Sequence, residues 1–153
     1  MQKKHFHYLL ILLILGIVVL AAWPSSKEQD VLSINLKEHK NIQYHIHPKV
    51  EIEILGEKLI IPANIGISDQ GMRVIHTHDD SGELHIEAPF PHQFYLKDFF
   101  TIWGKTFNKN CIMDTCVDEN HTLEFLVNGF SRPEFEAYPL HDGDVLSIVY
   151  SEK

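Results

Sequence analysis

From Val74 to Ala88 the chain reads VIHTHDDSGELHIEA, and its apolar residues recur at nearly every second position on either side of a polar break. A period of two marks a strand with one buried face and argues against a helix here. Asp80, Ser81 and Gly82 are turn formers, so the spacing predicts a β-hairpin closed at Ser81-Gly82. That turn would pair Asp80 with Glu83, Asp79 with Leu84, His78 with His85, Thr77 with Ile86 and His76 with Glu87. Opposed residues share a face. His76, His78, His85 and Glu87 then project to one side, and Ile75, Thr77, Leu84 and Ile86 to the other. A slip of one residue would mix the two sets, and only an even shift keeps the faces clean.

The same alternation runs upstream. Ile42, Tyr44 and Ile46 fall on one face of a strand, with His45 and His47 on the other. VEIEILGEKLIIP reads as a second hairpin turning at Gly56-Glu57, with Ile52 and Ile54 sharing a face with Leu59 and Ile61. Downstream the period changes. Leu96, Phe99, Phe100 and Trp103 form one stripe of a short helix that Gly104 stops. An aromatic stripe of this kind reads as core rather than as a cofactor site. A strand over KTFNKNCI, a strand over TLEFLVNG, a long loop, the turn HDGD and a closing strand VLSIVY complete the chain. The fold class expected is α+β, mainly β, with one short helix.

The first 25 residues differ from the rest. Lys3 and Lys4 precede an uncharged stretch from Tyr8 to Trp23 that Pro24 ends. This fits either a cleaved signal peptide, with Val19-Leu20-Ala21 near the cleavage point, or a retained signal anchor with Trp23 at the interface. Either would export the remainder of the chain, leaving a single-pass membrane protein with its domain outside the cytoplasm, or a secreted or periplasmic one. Residues 26–41 read as a linker and 42–153 as a single extracytoplasmic domain. Cys111 and Cys116 lie in the exported part and are expected to form a disulfide. The alternative is a reduced Cu(I) site with Met113. A net charge of −8 argues against a nucleic-acid partner.

Two stretches resemble known proteins. The strand ending in VNG, then YPLHDGDVLSIVY, resembles the β-grasp (ubiquitin-like) proteins, in particular the sulfur carriers. It implies a β-grasp-like sheet built from residue 72 onward, with the 50–62 hairpin as an N-terminal addition. Sulfur carriers end in Gly-Gly; this chain ends in SEK, which removes the carrier function from what the likeness implies. Residues 44–104 resemble a set of exported prokaryotic proteins that share HxH, IPAxIGI, HTHDxSGxxHIE and FFxxWG segments. That likeness implies export and one shared domain, and no activity or residue role comes with it.

Two of the eleven histidines, His5 and His7, lie in the leader; the others are in the body. Imidazole suits zinc and copper, and a carboxylate can complete a ligand set. His76, His78, His85 and Glu87 are therefore candidate ligands for one Cu or Zn ion, joined by His45 and His47 if their strand lies beside the hairpin. The competing reading is a polar strand face: His76 paired with Glu87, His78 stacked on His85, and an envelope protein-interaction module needing no metal. A metal-dependent enzyme on the same face would need an open coordination position and a base, Glu87 or Asp79. No nucleophile elbow, Walker or nicotinamide motif is present, so a non-enzymatic metal-binding protein is the leading expectation. Asp142 and Asp144 read as turn formers.

Overall fold

The computed structural model describes residues 30–153; the expected leader lies outside them. Among the described residues no helix is long and apolar enough to cross a membrane. In chain order the strands are β1 (Tyr44–Ile46), β2 (Lys49–Ile54), β3 (Glu57–Leu59), β4 (Ile67–Ser68), β5 (Gly71–Met72), β6 (Ile75–His76) and β7 (His85–Ala88). Helix α1 (Leu96–Trp103) comes next, then β8 (Phe107–Asn108), β9 (Cys111–Ile112), β10 (Thr115–Cys116), β11 (His121–Val127), β12 (Phe130–Ser131) and β13 (Val145–Glu152). The described residues are mainly β with one α-helix, as the alternation implied.

The longest strands form a mixed five-stranded sheet in the order β12-β11-β13-β2-β3. β13 is central, antiparallel to β11 and parallel to β2. Leu123, Phe125 and Val127 of β11, Leu146, Ile148 and Tyr150 of β13, and Val50 and Ile52 of β2 all point to one buried face. Each such side chain contributes roughly 1.5–3 kcal/mol on burial. Leu96, Phe99 and Phe100 of α1 are buried, and the Asp98 carboxylate accepts the Tyr95 amide hydrogen at 2.8 Å to cap its start. Gly104 closes its end. Ring centroids 4.8 Å apart in Phe100–Phe107 and 6.1 Å apart in Phe107–Phe125 link the helix to β11.

The histidine hairpin is not part of that sheet. It forms a three-stranded sheet of its own, β1-β7-β6, whose apolar face joins the same core through Ile75, Leu84 and Ile86. The expected assignment is thereby reversed: the hairpin beside the closing strand is β2–β3, and residues 74–88 stand apart. Both hairpins also pair two residues away from expectation. β2 and β3 turn at Leu55-Gly56, both with positive φ, so Ile52 faces Leu59. In the histidine hairpin His76 faces His85 and Ile75 faces Ile86.

The second shift has a visible cause. Thr77, expected opposite Ile86, bonds instead to the Pro62–Ile65 segment. Its amide donates to the Ile65 carbonyl, its carbonyl accepts from the Asn64 amide, and its hydroxyl donates to the Pro62 carbonyl and accepts from the Ile65 amide. On the other side, the Leu84 amide donates to the Pro48 carbonyl and the Val50 amide to the Gly82 carbonyl, both within 2.9 Å. The loop between β6 and β7 is thus held open, and no two-residue turn can close it.

The segment expected as a linker also contributes. Residues 31–38 form two short 3-10 turns, and Ile34 and Leu36 enter the core. Cys111 and Cys116 face each other on β9 and β10 and form the expected disulfide, and no free cysteine remains among the described residues.

Candidate metal centre

The even shift leaves side-chain parity intact, so the histidines stay together. β1 lies against β7 with His45 opposite Glu87 and Ile46 opposite Ile86. The second HxH is therefore beside the hairpin, the arrangement on which its role as a ligand pair depended. Two three-nitrogen groups result: His76, His78 and His85, the inner triad, and His45, His47 and His85, the outer triad. Within each, the ligand nitrogens lie within 4.8 Å of one another. Nitrogens bound to one zinc at about 2.0–2.1 Å can be at most about 4 Å apart. The rings of either triad would have to draw together to meet that limit, and either could hold a metal ion.

His76 is the most constrained member. It is fully buried, and its Nδ1 lies 3.0 Å from the Arg73 carbonyl oxygen. Only a protonated Nδ1 can donate to a carbonyl, so in the neutral ring Nε2 carries the free lone pair. Nε2 is buried with no hydrogen-bond partner among the described residues. Burial pushes the His76 pKa down to about 4, the Arg73 carbonyl opposing the shift and nearby His78 and His85 adding to it. The ring is thus neutral near pH 7, as a ligand must be, and a backbone carbonyl on its other nitrogen is the usual way a ligating histidine is oriented.

His85 stands between the triads. Its ring centroid lies 5.5 Å from that of His76, 4.5 Å from His78, 4.6 Å from His47 and 5.9 Å from His45. Burial also lowers its pKa, with His78 and His47 adding repulsion to the charged form. Thr77 points into the core between His76 and His78, so the bonds around it fix the backbone of the inner triad.

The carboxylates take other places. Glu87 lies outside both triads; its Oε1 is 3.1 Å from His45 Nε2 and can orient that ring. Asp79 accepts the Ser81 amide hydrogen at 2.9 Å, and the Ser81 side chain, then that amide, hold its carboxyl below its ordinary pKa and commit it to the loop. Two contacts were not read from the sequence. Asp142, expected only as a turn former, accepts the His47 amide hydrogen at 2.8 Å and lies 3.9 Å from its Nδ1. Glu83 lies 3.5 Å from His85 Nε2. The first depends on long-range placement that no local spacing announces; the second follows from the i,i+2 spacing that puts two strand residues on one face.

A cavity of about 420 Å³, lined by residues that include Leu32, Gly66, Ile67, Arg73 and Ile102, has no histidine in its wall. The triads lie on a sheet face and not in that cavity. Comparison with protein-family models, with curated proteins and with solved structures finds no match, so the reading of this chain rests on its own residues.

Proposed function

We propose that this protein binds a copper or zinc ion through the inner triad of His76, His78 and His85, outside the cytoplasm and held to the membrane by its N-terminal segment. The observation that carries the reading is the buried, unpartnered Nε2 of His76, whose ring is set by the Arg73 carbonyl. A buried nitrogen without a partner costs about 1–3 kcal/mol, and a metal bond would relieve that cost. Three imidazoles without thiolate suit Zn(II) or Cu(II). Binding is favoured over catalysis because the two carboxylates expected as bases are engaged, Glu87 with His45 and Asp79 with Ser81. Export, membrane attachment and an envelope partner are supported by the leader pattern alone. The β-grasp likeness is supported by the order β3-β2-β13-β11-β12, with the first and last long strands parallel.

The test is a titration of the full chain, without an affinity tag of histidines, with Cu(II) and Zn(II). The His76→Ala/His78→Ala/His85→Ala variant is titrated beside it. One ion per chain is expected, with affinity falling by at least about 100-fold in the variant. Equal weak binding by both would return the histidines to a polar strand face and favour the interaction module.

A further inference from the structure

Resting on that reading, we infer that the outer and inner triads are successive positions of a single ion, with His85 as the ligand common to both. A neutral imidazole offers one in-plane lone pair, so His85 serves one ion at a time and the two positions exclude each other. The rings form an unbroken series. Centroids are 4.4 Å apart from His45 to His47, 4.6 Å from His47 to His85, 4.5 Å from His85 to His78 and 4.9 Å from His78 to His76.

Exposure falls along the series toward its buried end at His76. The His45 and His47 side chains are 47 % and 37 % exposed and that of His85 23 %, while His76 is 0 % exposed; His78, beside it, is exposed. Carboxylates stand at the outer end, where Glu87 meets His45 and Asp142 meets His47. Carboxylates at the exposed end attract a cation where it arrives. A hydrated ion must exchange its waters for nitrogens before it reaches the buried His76. With His85 staying bound, that exchange can proceed one ligand at a time.

Cu(II) alone would be mixed with the full chain in a stopped-flow instrument and then removed with a chelator. Wild type would be compared with His45→Ala/His47→Ala and with His78→Ala. These side chains are exposed or half-exposed, so none of the variants empties the core. Wild type is expected to bind one ion. In the double variant, loading and removal should both slow at least about tenfold while affinity falls less than about threefold, because a shared route slows both directions. His78→Ala should still bind at the outer triad, about 100-fold more weakly and with fast exchange.

Two ions per wild-type chain would overturn the inference. So would loading of the double variant at the wild-type rate, which would mean direct access past exposed His78. An affinity loss in the double variant as large as in His78→Ala would make the five histidines one site. Absence of binding by wild type would be a different failure, that of the metal reading itself.

Discussion

The five-stranded sheet and the histidine sheet turn their apolar faces into one core, but their other faces differ. On β2 and β13 the opposite positions carry Glu51, Glu53, Ser147 and Val149, half-buried residues with no stake in any cluster beyond a Lys49–Glu51 ion pair. On β1, β6 and β7 they carry His45, His76, His85 and Glu87, and His76 is buried without a partner for Nε2. One sheet obeys the rule that buried polar groups are hydrogen-bonded, and the other breaks it at one atom. The difference marks the candidate site: the region that carries an unrelieved polar cost is also the one where histidines converge.

The sharpest way to separate the two regions is a large cavity in the first. Phe125→Ala, at a residue 1 % exposed in β11, should cost about 3–5 kcal/mol in urea unfolding. Isothermal titration of the folded fraction should find metal affinity unchanged. A parallel loss of affinity would mean that the sheets are one mechanical unit.

Acid should strike the second region. The folded pKa of His76 is about 4, below its ordinary value of 6.5. As pH falls below about 6.5 the unfolded chain takes up a proton that the folded one refuses. Stability is therefore full above that pH, falls between about 6.5 and 4, and loses nothing further from this group below 4. The metal-free protein should lose about 3 kcal/mol across that window, measured by denaturant unfolding at each pH. His85, shifted in the same direction, adds to the loss. A profile equally steep in His76→Gln would assign the effect elsewhere.

A smaller effect probes the seam between the sheets. Gly82 has φ +83°, and a Cβ there would fall 2.3 Å from the Val50 carbonyl oxygen. Gly82→Ala should cost about 2 kcal/mol, from left-handed strain of about 1–2 kcal/mol and the displaced loop, by thermal unfolding. It should also weaken metal binding several-fold by loosening the inner triad. Lost stability with intact affinity would show that the loop does not hold the histidines.

What the sequence made legible was parity. Alternation put His76, His78 and His85 on one face and Ile75, Leu84 and Ile86 on the other, and the structure keeps both sets. The aromatic stripe likewise marked α1 from Leu96 to Trp103. Register was not legible, and both hairpins pair two residues away from their expected partners. Period two is blind to a shift of two, so only the turn could decide. At Leu55 the turn uses a non-glycine residue at positive φ. At Ser81-Gly82 the loop's backbone bonds out to Pro48 and Val50 instead of closing a two-residue turn. The adjacency of His45 and His47 to the hairpin depends on β1 pairing with β7, about forty residues away in sequence, and no local pattern encodes a partner that distant.

Only His47 and Pro48 separate β1 from β2, where the chain passes from one sheet to the other. Both are anchored: the His47 amide and carbonyl bond to Asp142 and Gly143, and the Pro48 carbonyl to Leu84. A crossing this short and this tethered stores no slack. An arriving ion would find no lever there with which to swing one sheet against the other. On the proposed reading, whatever senses the occupied state would therefore touch the histidine face itself, as for a carrier of its cargo rather than a transmitter of a shape change.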